Sequence, residues 1–162
     1  MTKQETYELL RAAGVEFEIT EHSAVFNMDE CAQLELPYPE ADAKNLFVRD
    51  DKHREYYLIT VRGDKRVDLK AFRRAHVTKP LTFASPDELM ELMKLTPSSV
   101  TPLGLLEDKE HRVHFFLDAE FLLPPGRIGV HPNDNTATIW LHTEELLSVL
   151  RTHGTKVTVT AV

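Results

Sequence analysis

The run Tyr56-Tyr57-Leu58-Ile59-Thr60-Val61-Arg62 constrains this chain more than any other stretch. It is nearly continuous in aromatic, aliphatic and β-branched residues, a composition that fits a central strand buried on both faces. Residues 46–49 form a second apolar run just before it. The charged turn at residues 50–54 between them predicts a hairpin. A buried central strand needs further strands beside it and helices over it.

Residues 3–13 predict a first helix, with Thr2 as N-cap and Gly14 where a C-terminal cap belongs. Residues 15–20 alternate apolar and polar side chains, the period of a half-buried strand. Asn27 and Glu30 sit as a capping box for a short helix through about Leu34, which Pro37 and Pro39 stop. Residues 68–75 predict a short basic helix. Ser85-Pro86-Asp87-Glu88 starts another, over residues 86–94, with Leu89, Met90 and Met93 turned inward. Residues 103–106, 113–117 and 136–141 are expected as strands, and Thr143 as the cap of a helix over residues 144–151. A last β-like segment covers residues 156–160. Helices and strands alternate irregularly and include hairpins, which favours α+β with a mixed sheet over a doubly wound parallel one. We expect residues 56–62, 113–117 and 136–141 to share one sheet.

The chain has 162 residues, a length that predicts one domain over residues 1–162. Its single cysteine, Cys31, forbids an internal disulfide and is expected to be a small buried hydrophobe. The N-terminal stretch has no apolar signal core, and no apolar run nears the ~20 residues that span a bilayer. The expectation is a cytoplasmic protein with no membrane partner. The formal net charge of −7 argues against a general nucleic-acid binder. The charge is uneven, however. Between residues 62 and 80, Arg62, Lys65, Arg66, Lys70, Arg73, Arg74 and Lys79 face only Asp64 and Asp68. Such a stripe can hold a phosphate backbone locally, or can be a solvated helix face.

Familiar catalytic signatures are missing. The sequence has no G-x-x-x-x-G-K, no G-x-G-x-x-G and no G-x-S-x-G. It also lacks H-E-x-x-H. His111 and His114, three apart on an expected strand, would point to opposite faces, so no metal and no cofactor are expected. Gly126-Arg127-Ile128-Gly129 matches a G-x-x-G clamp only formally, because no helix pair flanks it. Three constellations remain. Lys44-Asn45 opens the strand at residues 46–48 and offers a point charge suited to phosphate or carboxylate. Ser98-Ser99-Val100-Thr101-Pro102 is a small-residue loop stiffened by Pro97 and Pro102. Gly129-Val130-His131-Pro132, with Asn135, places an imidazole and an amide in a turn entering a strand.

These three stretches, in this order, together with Glu21-His22-Ser23-Ala24-Val25-Phe26 and Tyr57-Leu58-Ile59, resemble the YbaK-like editing domains associated with prolyl-tRNA synthetase. The resemblance covers nearly the whole chain. It implies a mixed-sheet or barrel-like core wrapped by helices, and a free-standing hydrolase that removes wrongly attached alanine from proline tRNA in trans. It further implies Lys44 and His131 as catalytic residues. Asn45, Ser98, Ser99, Val100, Thr101, Pro102, Gly129 and Asn135 would bind substrate, and Arg66, Lys70, Arg73 and Arg74 the tRNA. The partners implied are the aminoacylated acceptor end of a tRNA and prolyl-tRNA synthetase. One position departs from the family pattern: Ser98 stands where relatives carry the glycine of Gly-x-x-x-Pro. Other readings are release of cysteine or serine by the same fold, and a non-catalytic module that binds tRNA ends or a small ligand.

Overall fold

The computed structural model describes residues 1–24 and 35–162. The expected helix from Asn27 to Leu34, and Cys31 within it, lie outside the described residues.

Helix α1 (Lys3–Ala12) begins in a full capping box. The Thr2 hydroxyl accepts from the Glu5 amide while the Glu5 carboxylate accepts from the Thr2 amide. Gly14 follows with φ of 76°, a left-handed conformation that relieves the chain into strand β1 (Phe17–Glu21). Strands β2 (Ala43–Asp50) and β3 (Tyr56–Arg62) form the expected hairpin, with Leu46 opposite Ile59. Helix α2 (Leu69–His76) is capped by Asp68, strand β4 (Leu81–Phe83) joins the free edge of β2, and helix α3 (Pro86–Met93) starts at the Ser85/Glu88 box. Strand β5 (Val113–Asp118) runs parallel to β3, and β8 (Val157–Thr160) parallel to β5. The five-stranded mixed sheet has the order β4-β2-β3-β5-β8, which makes β3 its centre.

Strand β7 (Ala137–His142) does not join this sheet, contrary to the expectation that residues 136–141 would lie beside β3 and β5. It pairs antiparallel with β1 on one side and β6 (Arg127–Val130) on the other, in a second, three-stranded sheet. Pairing partners are a tertiary matter that local alternation does not encode. A parallel bridge between Asp42 and Gly129 links the start of β2 to β6, where the two sheets meet. The main core fills the space between them, with Phe47, Leu58, Phe115 and Leu117 from one sheet and Ile128, Val130, Ile139 and Leu141 from the other. Leu146, Leu147 and Leu150 of helix α4 (Thr143–His153) close it. Val48, Tyr57, Ile59, Val61 and Phe116 form a second cluster on the opposite face of the large sheet, covered by α2 through Phe72.

Other expectations shift as well. Residues 103–106 are not a strand but part of a 3₁₀ helix, Pro102–Glu107, capped by the Thr101 hydroxyl. Short apolar runs buried on every side read alike in either conformation. On α3, Leu92 rather than Met90 packs inward, and Met90 is exposed. Thr143 begins α4 itself, with His142 at the cap; its hydroxyl donates to the Phe121 carbonyl.

Candidate active site

The sheet junction gathers side chains far apart in sequence. Asn45 and Thr60 are cross-strand neighbours on β2 and β3, and the Thr60 hydroxyl donates to Asn45 Oδ1 at 2.6 Å. That bond orients the amide so that Nδ2 donates to the Val100 carbonyl at 3.3 Å. One residue further on, the Thr101 hydroxyl donates to the His131 carbonyl at 2.6 Å while accepting from the Leu103 amide. Asn135 donates through Nδ2 to Ser98 Oγ at 3.1 Å. The 98–102 loop is thereby tied to the large sheet on one side and to the β6–β7 turn on the other.

His131 is held as strictly as the loop. Its Nδ1 lies 2.9 Å from the Ala137 carbonyl, which fixes Nδ1 as the donor and leaves Nε2 with its lone pair. Burial pushes the ring's pKa down, the Ala137 carbonyl opposes this, and the nearby His22 reinforces it. His131 is therefore a neutral imidazole at neutral pH. His22 packs edge-on against it, with ring centroids 6.1 Å apart. His22 donates from Nδ1 to the Ser23 carbonyl, and its Nε2 lies 3.0 Å from the Thr138 hydroxyl.

Lys44 is placed differently. Side chains alternate along β2, so Asn45 and Phe47 face the space between the sheets, whereas Leu46 and Val48 face α2. Lys44 belongs to that second face. It is half-buried there, and its ammonium donates to the Lys65 carbonyl in the turn between β3 and α2. The structure thus brings Asn45, Ser98, Val100, Thr101, His131 and Asn135 together. It sets Lys44 on the opposite face of the large sheet, toward the basic helix. Ser99 and Pro102 are buried supports of the loop, and Gly129 contributes its backbone to the bridge with Asp42.

Arg66, Lys70, Arg73 and Arg74 are all exposed, on α2 and the turn before it. They have no ion-pair partner among the described residues. Lys65 is different: it meets Asp118 at 2.5 Å and Glu120 at 3.3 Å, so its charge is neutralised within the fold. Arg62 likewise approaches Asp64 and Glu120, each at 3.8 Å.

Asp42, His22 and Thr60 belong to this neighbourhood and are missing from the sequence-derived set. Burial pushes the Asp42 carboxyl up to about 6, against the opposing Ala43 amide and His22. The local signal for it is slight: an acid flanked by two alanines directly before a strand. Two concavities elsewhere, one including Arg62, Phe121 and Arg127 and one between α1 and α4, include none of the junction residues in their walls. Among the described residues there is no cluster of three or more metal-ligating side chains, and no helix is long and apolar enough to cross a membrane.

Among the described residues, the junction gathers positioning amides and hydroxyls, the neutral imidazole of His131 with His22 packed against it, and the Asp42 carboxyl, a set suited to holding an already labile bond in place. The chain belongs to the aminoacyl-tRNA editing domain family, whose profile matches residues 22–149. Its activity class is accordingly aminoacyl-tRNA deacylase. It is 33% identical to the prolyl-tRNA editing protein ProX of Acetoanaerobium sticklandii, over 94% of this chain and 92% of that protein. It is 32% identical to the prolyl-tRNA synthetase associated domain-containing protein 1 of Bos taurus, over 90% of this chain and 86% of that one. Among solved structures, a candidate trans-editing enzyme for prolyl tRNA synthetase shares the fold, with a TM-score of 0.69 at 24% identity over 98% of this chain and 96% of that one.

Proposed function

We propose that the whole chain, residues 1–162, acts as one trans-editing hydrolase that deacylates mischarged proline tRNA, with alanine the amino acid released. The observation that carries this reading is the tie of the 98–102 loop to both sheets through Asn45–Val100 and Thr101–His131. Together with His131, this fixes a cluster of polar groups at the sheet junction, against which a small aminoacyl group would be held.

An aminoacyl ester hydrolyses without a protein nucleophile, so the enzyme's task is to place water and stabilise the developing oxyanion. Water adds to the ester carbonyl, the bond to the ribose oxygen breaks, and the water's proton leaves on that oxygen. The neighbouring ribose hydroxyl assists, in a substrate-assisted reaction. Neutral His131 holds substrate through Nε2 while its own Nδ1 stays committed to Ala137. Lys44, at the start of β2 on the face that carries α2, holds the phosphate–ribose end as it arrives from the basic face of Arg66, Lys70, Arg73 and Arg74. Proline is excluded because its ring exceeds the space that admits alanine, the size logic of a sieve. Prolyl-tRNA synthetase, which makes the substrate, is the protein partner this reading predicts.

Deacylation of proline tRNA charged with alanine, cysteine or serine tests the reading. Faster release of alanine than of the other two supports it. Preferential release of cysteine or serine reassigns the substrate, and binding without release of any returns the chain to a non-catalytic tRNA-end module.

A further inference from the structure

We propose that the Ser98–Asn135 hydrogen bond sets the width of the amino-acid space, making this pair the specificity-determining device of the chain. The inference rests on the editing reading above and extends it to the residues that decide which amino acid enters.

The loop has two halves with different anchorage. Its C-terminal half is held by Asn45 at Val100 and by the Thr101 hydroxyl at the His131 carbonyl. Residues 96–99 are bonded largely among themselves, with the Ser99 amide on the Thr96 carbonyl and Thr96 Oγ1 within 3.3 Å of Ser98 Oγ. Among the described residues, the hydrogen bond from this half to another element is Asn135 Nδ2 to Ser98 Oγ at 3.1 Å. The far end of that link is a stiff turn. The Asp134 carboxylate accepts from both the amide and the hydroxyl of Thr136, and Asn133, at φ of 62°, donates to the Thr6 hydroxyl on α1. Ser98 is thus moored to a rigid post.

Ser98 lies in a short 3₁₀ turn, Pro97–Ser99, and is not among the residues with positive φ. Its backbone needs no glycine, so what serine adds here is a hydroxyl and not strain. With the link made, the 96–99 half is drawn toward the β6–β7 turn and the space between them stays narrow. With the link broken, residues 96–98 yield outward while buried Ser99 stays in place, and larger amino acids enter.

The test measures kcat/KM for the amino acid that the parental chain releases fastest and for prolyl-tRNA, in Ser98→Ala, Asn135→Ala and the double variant. Loss of one neutral hydrogen bond changes a ratio by about three- to tenfold. Each single variant is expected to lower the discrimination against proline by that factor, and the double variant to lower it no further. Ser98→Thr, which keeps the hydroxyl, is expected to retain discrimination. Full discrimination in Ser98→Ala, or additive losses in the double variant, overturns the inference and leaves the editing reading standing. A parental chain that releases no amino acid overturns both. Melting temperatures identify any variant that fails to fold, and Ser98→Ala against Ser98→Thr then decides alone.

Discussion

Gly129 lies directly opposite Trp140 in the β6–β7 ladder, and a Cβ built on it would sit 2.2 Å from Cζ3 of the indole. The ring occupies the space a side chain would need. Trp140 is itself fixed, since its indole N–H donates to the Thr20 hydroxyl and Tyr38 packs edge-on against it. The indole therefore cannot retreat cheaply. Gly129→Ala is expected to cost about 1–3 kcal/mol, the range for overpacking a filled core. A melting temperature equal to the parent's would mean the indole yields, and that Gly129 is needed for something other than packing.

Glu88 is the most heavily bonded acid at the edge of the large sheet. It accepts from the Tyr56 hydroxyl at 2.7 Å, from His53 at 3.1 Å and from Arg49 at 3.3 Å. It also closes the Ser85 capping box. Burial opposes its ionisation, but the Ser85 amide, Tyr56, His53 and the Ser85 hydroxyl outweigh burial and hold the carboxyl at about 2, down from 4.5. A depressed carboxyl stabilises the fold above its unfolded pKa, and that contribution drains away as pH falls from about 4.5 toward about 2. Glu88→Gln is expected to cost about 1–3 kcal/mol at pH 7 and to flatten the stability profile across that acid window. Urea unfolding of both proteins between pH 2 and 7 checks this. Parallel profiles would show that Glu88 carries none of the acid sensitivity.

Lys44→Ala is expected to remove most deacylation, on the order of a hundredfold, because a substrate end held loosely misplaces its ester. The sequence alone predicts an exposed Lys44 whose removal barely affects stability. The structure changes that part of the expectation. Its ammonium bonds the Lys65 carbonyl from a half-buried position, so the variant is expected to lose about 0.5–1.5 kcal/mol as well. Lys44→Arg restores activity only in part, since a planar fork does not replace a compact charge. Parental turnover in Lys44→Ala would remove Lys44 from the catalytic set.

Neutralising Arg66, Lys70, Arg73 and Arg74 together is expected to weaken tRNA binding. The slope of log affinity against log salt should shrink by about 0.7–0.9 for each phosphate that the variant no longer neutralises. Three of the four lie on α2, where Arg73 and Arg74 also suit the helix dipole at its last turn. An unchanged salt slope would leave that local role, a solvated helix face, as their whole function.

Short-range spacing settles the local pieces of this fold. The capping boxes at Thr2/Glu5 and Ser85/Glu88, the β2–β3 hairpin and the central place of Tyr56–Arg62 are legible in the chain, because caps, turns and alternation involve residues close together in it. The resemblance carried by residues 44–48, 98–105 and 129–135 likewise points to the family without any knowledge of tertiary neighbours. Strand pairing is not legible in this way. Packing places Ala137–His142 in a second sheet and coils Pro102–Glu107 into a 3₁₀ helix, since both outcomes depend on burial against distant neighbours. Packing also divides Lys44 from Asn45. Adjacent residues in a strand point to opposite faces, and only the docking of α2 on one face and the 98–102 loop on the other shows what each side chain meets.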